Sequence, residues 1–235
     1  MYKNVNSFLG GAIVTNDDEL ANSIRKQIEA FPYQSTWSLF KKAIEGLQVD
    51  IVTMPLFFRF LFFWIFRYAY LHGVDSINDK MKIDVNPVLK ETVPQHYLCR
   101  LTPLQARLVL QQLDRVDRDT ESRVEAAKLY HRGLSDLPGL VVPPMRTDGS
   151  HMYWYYPIQY EKRSDLVRYA LQRGRDITES YHRNCADLPC FERWSADCPN
   201  ARKTADSVIY LPTYPRYSRD EVEKTIRLIR SYFER

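Results

Sequence analysis

Apolar and polar positions follow two rhythms along this chain, and the changes of rhythm mark its elements. Ala12-Ile13-Val14-Thr15, behind Gly10-Gly11, is a short apolar run of the kind that forms a strand buried in a mixed or parallel sheet. Asn16 stands three residues before Glu19, which predicts an N-cap with a reciprocating carboxylate, and Leu20, Ile24 and Ile28 then recur at helical spacing. Further on, Thr102 can cap, Pro103 suits the first helical position and Gln105 completes a capping box. Leu104, Leu108, Leu113, Val116 and Val124 keep one apolar face, so a long helix is expected, stopped by Pro138-Gly139 and suited to be the spine between two domains. Residues 152–160 (MYWYYPIQY) and 207–215 (SVIYLPTYP) predict strands. Helices are predicted over 164–174, with a Ser164 cap and a Gly174 stop, and over 218–233, with a capping box at Ser218 and Glu221 and an apolar face of Val222, Ile226, Ile229 and Phe233. Strands and helices alternate, which makes the class α/β, with a smaller α+β part at the C-terminal end.

The stretch 46–71 departs from this rhythm. From Leu56 to Leu71 only Arg59 and Arg67 are charged. A helix over those residues would be roughly 24 Å long, against a hydrocarbon core of about 30 Å, so it is too short and too charged to be read as a span. Arg59 and Arg67 point to roughly one side, and Trp64, Tyr68 and Tyr70 are amphipathic rings suited to a water boundary. Three readings fit: a helix lying in a membrane surface, a helix packed on a partner subunit, or the buried helix of an ordinary insertion. From residue 75 to 95 the chain turns polar and carries Pro87 and Pro94, which reads as a connecting segment.

Composition narrows the function more by exclusion than by assignment. The 33 basic and 29 acidic side chains are interleaved and leave a net charge of +4, too weak a bias for a nucleic-acid partner. The cysteines at 99, 185, 190 and 198 follow no CxxC spacing and the histidines pair in no HxxxH pattern, so no metal site is expected. No secretory leader is read in the opening residues; the expected compartment is the reducing cytosol, with free thiols.

On spacing alone Lys3 is an ordinary lysine near a terminus. Its context is more specific. Lys3-Asn4-Val5, Gly10-Gly11-Ala12-Ile13-Val14-Thr15-Asn16-Asp17 and the helix carrying Ile24-Arg25 resemble the stretch after the cofactor lysine in the DegT/DnrJ/EryC1/StrS family of sugar aminotransferases, which use pyridoxal phosphate. Arg100-Leu101-Thr102-Pro103-Leu104-Gln105-Ala106, with Gln112-Leu113-Asp114 and Arg123, is similar to the family's long helix near the subunit interface. Tyr130 through Leu140 resembles the end of that helix, and Asn200-Ala201 with Leu211-Pro212-Thr213-Tyr214-Pro215 resembles the C-terminal signature.

The resemblance implies a partial fold-type I aminotransferase. Residues 1–95 would be the remnant of the large cofactor-binding domain, with an aromatic-rich insertion at about 46–71, and 96–235 the long helix and small C-terminal domain. It implies Lys3 as the catalytic and cofactor-binding residue. Such an amine must be held neutral to condense with an aldehyde, and it later carries a proton between substrate and cofactor carbons. Family members that dehydrate have histidine there, so a lysine favours transamination from an amino-acid donor, glutamate, to a keto nucleotide-sugar in polysaccharide or glycan biosynthesis. A second copy of the chain is the implied partner. Asn4 and Arg100 are candidate substrate or subunit contacts; Arg100 fits a phosphate, a neighbouring subunit or a surface ion pair. Gly10 and Gly11 fit either a close backbone approach or a plain turn.

Leu98 replaces an asparagine that in the family reaches the partner's cofactor phosphate, and the residues that form most of the family's pocket precede its lysine. The expectation is therefore a C-terminal portion of a longer enzyme, a poor catalyst in isolation. The alternative is a non-catalytic module whose insertion docks on a membrane surface through Leu56 to Leu71, or on a companion protein.

Overall fold

The computed structural model describes residues 4–74, 76–77, 87–146 and 148–235. Lys3 and much of the expected 75–95 connector lie outside the described residues. The chain forms two compact units, Met1–Phe62 with Lys90–Asp117, and Phe63–Leu89 with Arg118–Arg235.

In the first unit, helix α1 covers Asp18–Glu29. Its cap is Asp17 rather than Asn16: the Asp17 carboxylate accepts from the Leu20 amide at 3.0 Å, while Thr15 Oγ1 accepts from the Asp17 amide at 3.1 Å. The capping signal was off by one position because two adjacent residues offer the same chemistry. Ala12–Thr15 is not a strand. Ile13 is 70 % and Val14 93 % exposed, and among the described residues no strand pairs with them. An apolar run supplies only half of what a strand requires, the other half being a neighbouring ladder. The apolar face of α1 is likewise open, with Leu20 and Ile28 exposed.

Helix α2 covers Thr36–Thr53 and ends at Met54, whose extended backbone (ψ 130°) is what a residue before proline adopts. Pro55 then opens a second helical run: α3 (Pro55–Phe57), a π-helical turn (Phe58–Phe62) and α4 (Phe63–His72). The buried residues described in this first unit are Gln34, Leu39 and Gln105. Two of the three are amides, so hydrogen bonding rather than apolar burial organises it.

The long helix α5, Pro103–Leu134, carries the expected capping box: the Thr102 amide donates to Gln105 Oε1 at 2.9 Å and the Gln105 amide to Thr102 Oγ1 at 3.4 Å. Its apolar face is realised only in its later turns. Leu104 and Leu113 are exposed, whereas Ala126, Ala127, Tyr130 and Leu134 are buried in the second unit. The helix stops at Leu134, before the expected Pro138-Gly139, and Gly139 (φ +76°) serves a separate turn beyond it.

The second unit holds an antiparallel sheet of order β1-β3-β2, made of Tyr155–Gln159, Val208–Pro212 and Thr178–Glu179. Tyr155 pairs with Pro212, Gln159 with Val208 and Thr178 with Tyr210. Tyr156, Ile158, Ile209 and Leu211 turn one face inward against Leu166, Val222 and Ile229, all essentially buried. Pro157 is tolerated because β1 lies at the edge of this order. Helix α6 is Arg163–Gln172; Lys162 is its cap and makes no side-chain bond, so Ser164 sits inside the helix rather than before it. Helix α7 is Pro199–Ser207 and α8 is Arg219–Phe233, the latter capped by Ser218, which accepts from the Glu221 amide at 3.3 Å. Glu221 does not complete a box, because its carboxylate goes to Arg175 and Lys224 instead. Helix α4 docks on α6 through Arg168 Nη1 to Leu71 O at 3.3 Å and Arg67 Nη2 to Gln172 O at 3.4 Å. Tyr70 donates to Glu179, and burial with that carboxylate pushes the phenol's pKa well above its usual value.

Candidate functional site

Lys3 lies outside the described residues, and the site is built from the segment next to it, starting at Asn4. Asn4 is half-buried, and the chain from Asn6 to Gly10 lies along the start of α5. Gln112 holds Asn6 by both ends of its amide: the Asn6 N–H donates to Oε1 at 2.9 Å, and Nε2 donates to the Asn6 carbonyl at 2.7 Å. That geometry copies a rung of β-ladder with a side chain in place of a strand. Two turns earlier on α5, the buried Gln105 donates through Nε2 toward Ser7 O (3.1 Å), Leu9 O (3.2 Å) and Gln34 Oε1 (2.9 Å). Between these clamps the backbone is bent. Asn6 Oδ1 accepts from the Phe8 amide at 2.8 Å, and Phe8 takes φ +70°, an uncommon and costly conformation for a bulky residue.

Gly10 and Gly11 separate here. Gly10 has φ +100°, and a Cβ there would lie 2.7 Å from Leu101 Cδ2, so only glycine fits; around Gly11 a Cβ would meet nothing within 4 Å. A close approach is therefore required at the first glycine alone. Beside Phe8 and Leu9, facing Lys42 and Val49 of α2, opens a cleft of about 490 Å³.

Arg100 belongs to the same unit. Its backbone is stitched to residues 32–34, the N–H donating to Pro32 O and the carbonyl accepting from the Gln34 amide, each at 3.0 Å. Its guanidinium lies over the Tyr33 ring, 3.9 Å from the centroid, and its buried Nε has no hydrogen-bond partner among the described residues. A stacked guanidinium with an unused donor fits a phosphate oxygen. Leu98, two residues earlier, offers no such donor. The described residues thus fit the phosphate of pyridoxal phosphate at Arg100 and not at position 98.

In the second unit, the signature Leu211–Pro215 has a structural explanation. Thr213 Oγ1 is buried and donates to the carbonyls of Tyr153 (2.6 Å) and Trp154 (2.8 Å), and Arg123 of α5 donates to the Trp154 carbonyl at 3.0 Å. Burial lowers the pKa of Arg123. On the same sheet Ser180, His182 and Tyr210 form a polar cluster, with His182 Nδ1 2.7 Å from Tyr210 Oη and 3.1 Å from Ser180 Oγ. Tyr210 stands 28 positions from His182 and 30 from Ser180, and no local pattern announces the cluster. Gln105 and Gln112 were visible in the sequence as helical residues, but not as clamps on the opening segment; their seven-residue spacing on one face was the available signal.

These features place the chain, in part, in the aminotransferase fold. The S. venezuelae DesV in complex with ketimine intermediate superposes with a TM-score of 0.51 at 23 % identity over 56 % of this chain and 36 % of that one. The Helicobacter pylori PseC, an aminotransferase involved in the biosynthesis of pseudoaminic acid, gives a TM-score of 0.52 at 20 % identity over 66 % of this chain and 43 % of that one. The chain belongs to the DegT/DnrJ/EryC1/StrS aminotransferase family, whose model matches residues 67–230. The likeness read from Lys3 to Arg25 falls outside those residues. Among curated relatives, the spore coat polysaccharide biosynthesis protein SpsC of Bacillus subtilis (strain 168) is 31 % identical over 145 residues, 57 % of this chain and 37 % of that protein. The dTDP-3-amino-3,4,6-trideoxy-alpha-D-glucose transaminase of Micromonospora megalomicea subsp. nigra is 27 % identical over 139 residues, 56 % of this chain and 37 % of its own length. The chain thus spans well under half of the length of these relatives.

Proposed function

We propose that this chain supplies the C-terminal portion of a pyridoxal-phosphate aminotransferase that moves an amino group from an amino acid, glutamate, to a keto nucleotide-sugar. The single observation that carries the reading is the family match across α4 to α8; the transaminase names of the relatives support the substrate class. Residues 1–95 would belong to the cofactor-binding domain and 96–235 to the long helix and small domain, the enzyme working in the cytoplasm as a homodimer. When bound, pyridoxal phosphate supplies the aldehyde and the electron sink that make a substrate C–H bond acidic. Lys3 would hold the cofactor and move the proton. The Gln105 and Gln112 clamps would fix the chain that presents it, Arg100 would take a phosphate oxygen, and Asn4 would face substrate or the second copy.

The test is borohydride reduction of the chain soaked in pyridoxal phosphate, and then peptide mass spectrometry. A pyridoxyl mass at Lys3, abolished in Lys3→Arg, is expected. Labelling spread over other lysines, or full turnover of Lys3→Arg in the complete enzyme, overturns the reading. Because the chain spans about 37 % of its relatives' length, turnover by the isolated chain is expected to be poor. A second reading, docking of the 46–71 insertion on a membrane surface or partner protein with or without catalysis, is favoured by the exposed apolar residues there.

A further inference from the structure

The helical run from Pro55 to His72 leaves most of its large apolar side chains in water. Leu56 is 64 % and Phe60 69 % exposed, with Phe57 and Leu61 open beside them in the first unit; in the second, taken by itself, Trp64, Ile65 and Tyr68 are also exposed. Their positions step by four. In a plain α-helix a four-residue step drifts by about 40°; the π-helical turn at Phe58–Phe62 winds more slowly and takes up part of that drift. Helix α2, taken by itself, has a second open stripe at Trp37, Phe40, Ile44, Leu47 and Ile51, spaced by three and four.

Charge decides what such a surface meets. From Ile51 to Val74 there is no aspartate or glutamate, while Arg59 and Arg67 are present. The cations sit on the rings: Arg59 is 6.0 Å from the Phe60 centroid, Arg67 4.8 Å from Trp64 and, on α2, Lys41 5.2 Å from Trp37. Exposed aromatic rings with cations lying on them are the composition of a membrane interface, where rings enter the headgroup layer and cations meet lipid phosphate. Among the described residues no single helix is long and apolar enough to cross a membrane; Thr36–Thr53 and Pro55–His72 pass that test only together, as a bent pair. The geometry therefore favours lying in the surface over spanning it. A second copy on this face would bring Arg59 toward a surface with no carboxylate to answer it.

We propose that the exposed side of Leu56–Leu61 seats at headgroup level in an anionic phospholipid bilayer, with Arg59 on lipid phosphate. This rests on the docking reading above and is independent of the aminotransferase one.

The test is co-sedimentation of the full chain with phosphatidylcholine vesicles and with vesicles also containing phosphatidylglycerol. Binding to the mixed vesicles alone is expected. The double variant Phe60→Ser/Leu61→Ser should bind roughly tenfold more weakly or worse, and Arg59→Gln about fivefold more weakly. These residues are exposed, so far-UV circular dichroism and urea midpoints should stay at wild-type values. No binding to mixed vesicles, or binding that the double variant leaves unchanged, overturns the proposal. So does a concentration-dependent dimer, seen by sedimentation velocity without vesicle binding and lost in the double variant; that result makes the face a contact between copies. Lys3→Arg should bind vesicles as wild type does, so a failed pyridoxyl label with intact vesicle binding condemns only the catalytic reading.

Discussion

Replacing Gln105 with glutamate changes one NH2 group for an oxygen in a site that is 1 % exposed. The retained oxygen still accepts from the Thr102 amide at 2.9 Å, so helix capping survives. The new oxygen faces three others: the Ser7 and Leu9 carbonyls and Gln34 Oε1, at 3.1, 3.2 and 2.9 Å from the original nitrogen. As a carboxylate it donates to none of them, and burial among acceptors should raise its pKa from about 4.3 to about 7. The protonated acid can donate to one of the three oxygens, so the loss at low pH is about 1–2 kcal/mol. Each tenfold in proton affinity is about 1.4 kcal/mol, so ionisation adds about 4 kcal/mol and brings the loss at high pH to about 5–6 kcal/mol. The folded-state pKa lies above the unfolded one, so between the two the native state binds more protons and stability falls as pH rises. The destabilisation should grow from about pH 4 to about pH 7 and level off beyond. Urea midpoints of wild type and Gln105→Glu across that range measure the difference, and Gln105→Met, apolar and of similar size, should show a loss independent of pH. A flat difference for the glutamate variant, or one largest in acid, would refute the donor assignment at Gln105.

Two other sites give sharp expectations. A methyl at Gly133 of α5 would lie 2.6 Å from Ile226 Cγ2 and 3.0 Å from Cδ1 on α8; Gly133→Ala should gain about 1 kcal/mol of helix propensity and lose more to overpacking, a net cost of about 1 kcal/mol. In an Ile226→Ala background the same change should stabilise, and a denaturation cycle without coupling between the two sites counts against that contact. Arg202 forks onto Asp187 at 2.7 and 2.8 Å, and this hydrogen bonding holds the Asp187 carboxyl at about 2. Its contribution to stability is present above the ordinary carboxylate range and is lost as pH falls through about 2. Carboxyl-carbon NMR titration should find that midpoint, moved to about 4 in Arg202→Gln; an ordinary midpoint in the wild type would dismiss the fork.

Several local signals were legible because their chemistry is local, although the caps read at Asn16 and Ser164 and the box at Glu221 were not realised. The Thr102/Gln105 box, the Ser218 cap and strands β1 and β3 could be read because each depends on residues within one turn or one pleat. Ala12–Thr15 failed because a strand needs a partner, which spacing does not report. The clamps at Gln105 and Gln112 were hidden for a related reason: an amide on a helix face reads alike whether it meets solvent or a backbone some hundred positions away. Of the candidate site residues, the structure gives Arg100 its stacked, partly unpaired guanidinium, whereas the case for Lys3 still rests on family resemblance.

The wide turn at Phe58–Phe62 also gives this segment a place where its length can change. A π turn holds one residue more than an α turn, so deleting any one of those five residues would let the hydrogen bonds close at four while the later side chains keep their direction. Phe63 and Ala69, packed inward at 7 % and 0 % exposure, would stay inward. Single-residue gaps should therefore be tolerated at this turn and be scarce in the plain α-helical stretches of the run, where each shifts every later side chain by about 100°.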